Sequence, residues 1–411
     1  MKVLVINCGS SSLKYQLFDM TTGQSMADGI AQRVAVEGGV HASLEHRPAG
    51  GQTHHLAAPM PDHRVAFRHA MEALTDAEHG VIPSLGEIAA VGHRVVHGGE
   101  QFAAAVLIDG AVERAIERFS ELAPLHNPPN LQGIRACKAV LPDIPHVAVF
   151  DTAFHQTMPA CAYMYGLPYE LYEERRIRRY GFHGTSHRYV SLRAGEYLSA
   201  AGIALEDQKV VTCHLGNGSS MTAVRAGKCV DTSMGLTPLE GLLMGTRSGD
   251  LDPAIVIYLM EALQVGPREL DDLLNKQSGM LGVSGVGSDM RDVHRAADAG
   301  NQRAALALGM FCYRLRKYLG AYAAVLGGLS AVVFTGGIGE NDARTRACCL
   351  QGLGFLGLSL DPARNERPEF ADNLACLEQD GCSVRILVIR TDEELMIARD
   401  TVAVVQQAAR G

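Results

Sequence analysis

The sequence predicts an α/β protein of two domains, on three observations. Its 411 residues exceed what one typical core organises and suit two domains of ordinary size. Short apolar segments of strand character alternate with longer segments whose apolar residues recur every three or four positions. A strand, a glycine and serine turn and a second strand occur together at the start of the chain and again in its second half, as a duplicated domain would require.

Taken in order, the first hairpin runs through apolar residues 3–6, the turn NCGSSS at 7–12, and the alternating Leu13, Tyr15 and Leu17. Helical spacing follows at 62–78, 110–123 and 130–141, with strands at 88–95 and 146–150. The second hairpin is a strand at 209–215, a turn at 216–220 and a resumed strand at 221–225. Helices at 252–263, 267–276, 302–326 and 342–352 alternate with strands at 331–334 and 384–389, and a last helix covers 392–407. No linker rich in Pro, Gly and Ser separates the halves, so the boundary is placed near Asp151 from the repeat alone.

Composition narrows the function. A hydrophobic share of 47% with 20% charged residues is that of a soluble globular protein. A formal charge of −8 without a Lys/Arg run argues against nucleic acid or an anionic membrane as partner. Ten cysteines are scattered without a CxxC pair, so neither a zinc site nor a disulfide framework is expected and a reducing compartment fits. Residues 1–6 are too short an apolar run for a signal peptide, and the protein is expected to stay in the cytoplasm. Residues 319–338 lack charge over about a bilayer's thickness, but Gly327, Gly328 and Ser330 divide them into a helix end and a short strand.

Several motifs could carry chemistry. Residues 7–14 have the makings of an anion cradle, because Gly9 lets the backbone approach closely and three serines add donors beside Lys14. GxxxxGK[ST] is absent, so this is no Walker A loop. HLGNGSS at 214–220 repeats the composition, and TGGIGEN at 335–341 follows a buried strand and leads into a helix whose N-terminus could face an anion. GLGFLG at 352–357 matches GxGxxG but follows a helix, which makes it a helix stop and not a dinucleotide site. Arg94 in an apolar strand and Arg247 in a glycine-rich loop are either structural ion pairs or clamps for a carboxylate or phosphoryl group. Asp151 ends a strand where α/β sheets present ligand groups, and His183 lies in the loop RYGFHGTSH. His155, His187 and His214 compete for the same roles, and spacing does not choose among them.

In order along the whole chain, NCGSSSLK, GHRVVHGG, VFDTAFH, RRYGFHGTSH, HLGNGSS, MGTRSGDLDP, SDMRD, FTGGIGEN and TDEELMIARDT resemble the acetate kinase family, in the superfamily of sugar kinases, heat-shock ATPases and actin. The resemblance implies two ribonuclease H-like domains closing on a central cleft. The first would hold 1–151 with a returning helix at 391–411, and the second 152–390. It implies a homodimer, Mg²⁺ with Mn²⁺ as a substitute, and ATP or ADP as co-substrate. By the same resemblance Asn7 and Glu393 are associated with the metal, and Ser12 and Lys14 contact the nucleotide. The other ATP-binding residues it implies are His214, Leu215, Gly216, Asn217 and Gly218, then Asp289, Met290 and Arg291, then Gly337, Ile338, Gly339, Glu340 and Asn341. Arg94 would hold the substrate carboxylate, with Val96, Leu125, Phe182 and Pro238 around its methyl group, and Asp151, His183 and Arg247 would be catalytic. TDEE stands where many relatives read TNEE, which sets Asp392 beside Glu393.

The implied reaction moves the γ-phosphoryl of ATP onto acetate, giving acetyl phosphate and ADP. Such transfer needs alignment and charge neutralisation, which arginines, an imidazole and Mg²⁺ supply. Propionate is the alternative acceptor. Val96 weighs against it, because two positions after Arg94 on a strand its side chain would share Arg94's face and limit chain length. A reading from another class is a nucleotide-gated clamp without catalysis, which would need the phosphate turns but not an acyl pocket.

Overall fold

The computed structural model describes residues 1–124 and 126–410, in two compact units. Met1–Ala153 and the segment from Asp392 onward form the first, and Phe154–Thr391 the second.

Among the described residues, the first unit holds an eight-stranded sheet of order β5-β4-β3-β2-β1-β6-β8-β7. Its strands are β1 (Lys2–Cys8), β2 (Ser12–Asp19), β3 (Gln24–Gln32), β4 (Ser43–Pro48), β5 (His54–Ala57), β6 (Ile88–Val95), β7 (Val106–Leu107) and β8 (His146–Phe150). The first five pair antiparallel, while β1, β6 and β8 run parallel. The helix His63–Thr75 starts where Asp62 accepts from the Val65 N–H at 2.8 Å, and it buries Ala66, Phe67, Ala70, Met71 and Leu74 on one face. The closing helix Glu393–Ala408 packs on β6 at Gly92, where a Cβ would come 2.4 Å from Thr401 Oγ1. Only glycine admits that approach.

The second unit repeats the plan, with order β11-β10-β9-β12-β14-β13 among the described residues. These are β9 (Lys209–Leu215), β10 (Ser219–Arg225), β11 (Lys228–Thr232), β12 (Ala331–Thr335), β13 (Leu374–Cys376) and β14 (Arg385–Ile389). Three antiparallel strands, against five in the first unit, lead into two more that run parallel to the first of them, as β6 and β8 do to β1. Phe311, Leu315, Leu319, Tyr322 and Leu326 of the helix Gln302–Leu326 bury a continuous stripe in this unit's core.

Differences from the expected elements have local causes. The span 110–123 is a helix only over Gly110–Arg118, then a 3₁₀ turn over Phe119–Glu121. TGGIGEN is itself a short helix, Gly336–Asn341, and not a turn leading into one. RYGFHGTSH is half loop and half the start of a helix, Gly184–Ala200, whose apolar period is hidden because its buried face carries Thr185, Ser186, His187 and Ser191. The edge strand β5 is mostly exposed and offers little hydrophobic signal.

All ten cysteines are free. The fold nevertheless brings buried His93, Cys137 and His146 together, which spacing could not show. His93 Nε2 and His146 Nδ1 lie 2.9 Å apart and His146 Nε2 bonds the Leu141 carbonyl at 2.9 Å, so the pair satisfies itself. No helix among the described residues is long and apolar enough to cross a membrane, and the longest stops at Gly327 in the left-handed conformation.

Candidate active site

In the first unit the site grows from the carboxyl ends of parallel strands. Arg94 is the penultimate residue of β6, and Asp151 follows the last residue of β8. The Arg94 guanidinium donates side-on to Asp151, Nη2 to Oδ2 and Nε to Oδ1 at 3.3 Å. Its Nη1 lies 3.4 Å from Asn7 Oδ1, at the end of β1. Burial opposes the Arg94 charge, but Asp151 and Glu393 outweigh it and raise its pKa above the ordinary arginine value.

Glu393 opens the closing helix, with Asp392 as its N-cap. Its pKa is pushed up to about 7, chiefly by burial, with Asp151 and Glu394 adding to the rise and Arg94 and Lys14 opposing it. Asp392 shifts upward too, mainly through burial. Asn7, Asp151 and Glu393 thus bring one amide oxygen and two carboxylates to this end of the unit, around Arg94. That donor set fits a hard divalent cation such as Mg²⁺.

Two buried asparagines that sequence reasoning missed hold these strand ends. Asn130 donates to the Cys8 carbonyl at 2.7 Å and accepts from the Val96 N–H at 3.0 Å, linking the end of β1 to the end of β6. Asn127 brackets His97 likewise, accepting from its N–H and donating to its carbonyl, both at 3.0 Å. The signal available was NPPN at a helix start, where Asn would otherwise be read as a cap. Val96 is buried but lies one residue past the end of β6, so strand alternation does not place it on Arg94's face. This corrects the geometric argument made for it. Leu125 lies outside the described residues. Ser12 is half-buried, and exposed Lys14 pairs across β1 and β2 with Asn7; Asn7, Lys14 and Glu394 line a polar cavity of about 480 Å³.

In the second unit three separate segments meet around a cavity of about 800 Å³. Gly216 and Asn217 come from the β9–β10 turn, Asp289, Met290 and Arg291 from the start of the helix Met290–Asp298, and Gly337, Ile338 and Asn341 from the short helix after β12. Besides Gly218, which lies against His183 and Arg247, four residues of the expected nucleotide set in this unit are not in that lining. Leu215 is fully buried in the core. Glu340 turns inward, accepting from the Gly336 and Thr391 N–H groups at 3.0 and 3.2 Å. The Gly339 carbonyl accepts from Arg346 at 2.9 Å. The fourth, His214, turns its Nδ1 to Ser186 Oγ at 2.8 Å. Arg346, 1% exposed, also holds the Glu340 carbonyl and Asn365, and in a helix reading ARTRACCL nothing marked it as buried.

Beside this cavity the structure sorts the competing histidines. His155 is buried and bonds the Phe182 carbonyl at 3.0 Å. His187 is fully buried, between Ser220 Oγ and Thr212 Oγ1, each at 2.7 Å. His183 and His214 stack with ring centroids 4.3 Å apart. His183 is the N-cap of its helix in the left-handed region, φ 56°, where a non-glycine residue is uncommon. Its Nδ1 meets Ser220 Oγ at 2.8 Å.

Arg247 Nη1 and His183 Nε2 each lie 3.4 Å from where a Cβ on Gly218 would stand. The guanidinium donates to the Pro238 carbonyl at 3.3 Å and has no carboxylate partner among the described residues. Burial alone lowers its pKa. Of the two arginines that sequence left open between structure and function, Arg94 is ion-paired and Arg247 is not. Phe182 is buried beside His183 in sequence, while Val96 belongs to the first unit.

The acetokinase family model matches residues 2–399. An acetate kinase of Desulfitobacterium hafniense is 55% identical over 408 residues, covering 99% of this chain and all of that protein. The crystal structure of Porphyromonas gingivalis acetate kinase is similar with a TM-score of 0.92 at 46% identity, over 98% of this chain and 99% of that one. A propionate kinase from Francisella tularensis is similar with a TM-score of 0.89 at 42% identity, over 98% and 99%. The fold is therefore the two-domain, actin-like ATPase type. With a family model spanning nearly its whole length and a relative of more than half identical residues, the chain belongs to the acetokinase family.

Proposed function

We propose that the chain transfers the γ-phosphoryl group of ATP reversibly to acetate, giving acetyl phosphate and ADP with Mg²⁺. The observation that carries the reading is Arg247, a half-buried cation without a carboxylate partner among the described residues, set with His183 on one face of Gly218. A cation so placed suits a phosphoryl group whose charge spreads over its equatorial oxygens.

The remaining roles follow from donor counts. Arg94 spends its Nε–H and one Nη2–H on Asp151 and one Nη1–H on Asn7, which leaves one N–H on each terminal nitrogen for the acceptor carboxylate. Asp151 then orients Arg94; it need not be a base, because acetate is already ionised at neutral pH. Bound Mg²⁺ would be held through Asn7 and Glu393 and would neutralise charge on the phosphates. Mn²⁺ takes similar oxygen ligands and substitutes. ATP lies along Gly216, Asn217, Asp289, Met290, Arg291, Gly337, Ile338 and Asn341, a reading supported by their shared cavity; Ser12 and Lys14 are assigned to the nucleotide by the family resemblance alone. Val96, Leu125, Phe182 and Pro238 are assigned to the acyl methyl by the family resemblance. The two units correspond to the two ribonuclease H-like domains, a reading supported by their shared strand order.

A second copy of the chain covers the helix Pro253–Leu263, PAIVIYLMEAL, in which no residue is buried. Free cysteines throughout suit the cytoplasm. The test is to incubate the protein with ATP, Mg²⁺ and acetate, propionate or butyrate in turn, trapping acyl phosphate with hydroxylamine. Hydroxamate should form fastest with acetate. None with any acid would sink the kinase reading, and a faster rate with propionate would move it to that substrate.

A further inference from the structure

Behind His183 the hydrogen bonds form a chain. Thr212 and Thr222 face each other across β9 and β10, and the Thr212 hydroxyl donates to the Thr222 carbonyl at 3.4 Å. Its oxygen is 2.7 Å from His187 Nδ1, His187 Nε2 is 2.7 Å from Ser220 Oγ, and Ser220 Oγ is 2.8 Å from His183 Nδ1. Thr212, His187 and Ser220 are all fully buried. His187 stays neutral, since burial, with His155 and His214 nearby, lowers its pKa well below the ordinary value. A neutral imidazole has one N–H and one lone pair, and a hydroxyl has one proton to donate, so a chain of them has a direction. With the Thr212 proton on a carbonyl, His187 donates from Nδ1 to Thr212 and accepts at Nε2 from Ser220. The Ser220 oxygen must then accept from His183 Nδ1–H.

We propose that Thr212, His187 and Ser220 are positioning residues that commit the Nδ1 proton of His183 to Ser220, so that Nε2, on the Gly218 side beside Arg247, is the nitrogen that serves the transferring phosphoryl group. Neither His187 nor Ser220 touches substrate in this arrangement; both act through His183, whose Nδ1 meets Ser220 Oγ on β10. The second proton, on Nε2, makes the imidazolium that donates to an anionic oxygen. Charged or titratable groups near the ring include His214 on β9, stacked on it, and Arg247, which approaches the same face of Gly218. The proposal rests on the role given to His183 above, and its test separates the two.

The direct readout is ¹⁵N NMR of imidazole-labelled protein, with the His183 signals assigned by their loss in His183→Ala. In the neutral ring Nδ1 should carry the proton and Nε2 should be the bare nitrogen; the reverse tautomer overturns the proposal. The kinetic readout is Ser220→Ala, which should lower kcat about ten-fold, as loss of a hydrogen bond to a charged group does, with KM for ATP and acetate nearly unchanged. His187→Gln, whose amide still reaches Ser220, should keep most of kcat, whereas His187→Leu should match Ser220→Ala. Unchanged kcat in Ser220→Ala, or a loss expressed only in KM, also overturns it. If His183→Ala keeps its turnover while the tautomer is as stated, the fault lies in the catalytic role of His183 and not in the relay.

Discussion

Arg94 and Arg247 have the same side chain and opposite surroundings, and their substitutions should separate accordingly. Arg247→Ala should lose roughly 10³-fold or more in kcat, as expected of an arginine on a transferring phosphoryl. Its melting temperature should hardly move, because no ion pair is broken. Arg94→Ala should lose activity and also stability, by about 3–5 kcal/mol, because it removes the guanidinium that ion-pairs with the 1%-exposed Asp151 carboxylate. Urea melts beside initial rates check both; near wild-type turnover in folded Arg247→Ala, or wild-type stability in Arg94→Ala, would contradict the assignments. Glu393→Gln should raise the Mg²⁺ concentration needed for half-maximal rate, and an unchanged Mg²⁺ titration would remove Glu393 from the metal site. Sequence showed that both arginines were unusual. It could not show which was paired, because Asp151 lies far along the chain from Arg94.

At the level of elements, the site depends on strand ends held in register by side chains that the hydrophobic pattern does not reveal. Asn130 serves the Cys8 carbonyl and the Val96 N–H together, so Asn130→Ala leaves two buried polar groups without that partner. A loss of about 2 kcal/mol or more should follow. KM for acetate should rise with it, since the end of β6 carries Arg94. A stability loss with an unaltered KM would mean that Asn130 supports the fold but not the acceptor site. Strands β6, β8 and β9 and the helices Pro267–Lys276 and Gln302–Leu326 were legible residue for residue, because their apolar faces have clean periods. The helix Gly184–Ala200 was not, because it docks through hydroxyls and imidazole, and that same polar face carries His187 toward Ser220.

Over the whole molecule the proposed pairing with a second copy is open to direct test. Ile257 and Tyr258 of the helix Pro253–Leu263 are 64% and 67% exposed, a surface that water disfavours unless it is covered. Ile257→Asp should shift sedimentation from dimer to monomer. A wild-type protein that sediments as a monomer at micromolar concentration would exclude the dimer outright. By itself the sequence determined the α/β class, the duplicated strand, turn and strand plan and the family, because periodicity, turn composition and ordered motifs are local properties of a chain. Only the tertiary structure decided that Arg94 is paired while Arg247 has no carboxylate partner among the described residues, that His183 and His187 both meet Ser220, and that Leu215 and Glu340 turn away from the large cavity of the second unit. Those outcomes depend on which strand lies beside which and on what burial does to a charge, and neither is encoded within any one segment.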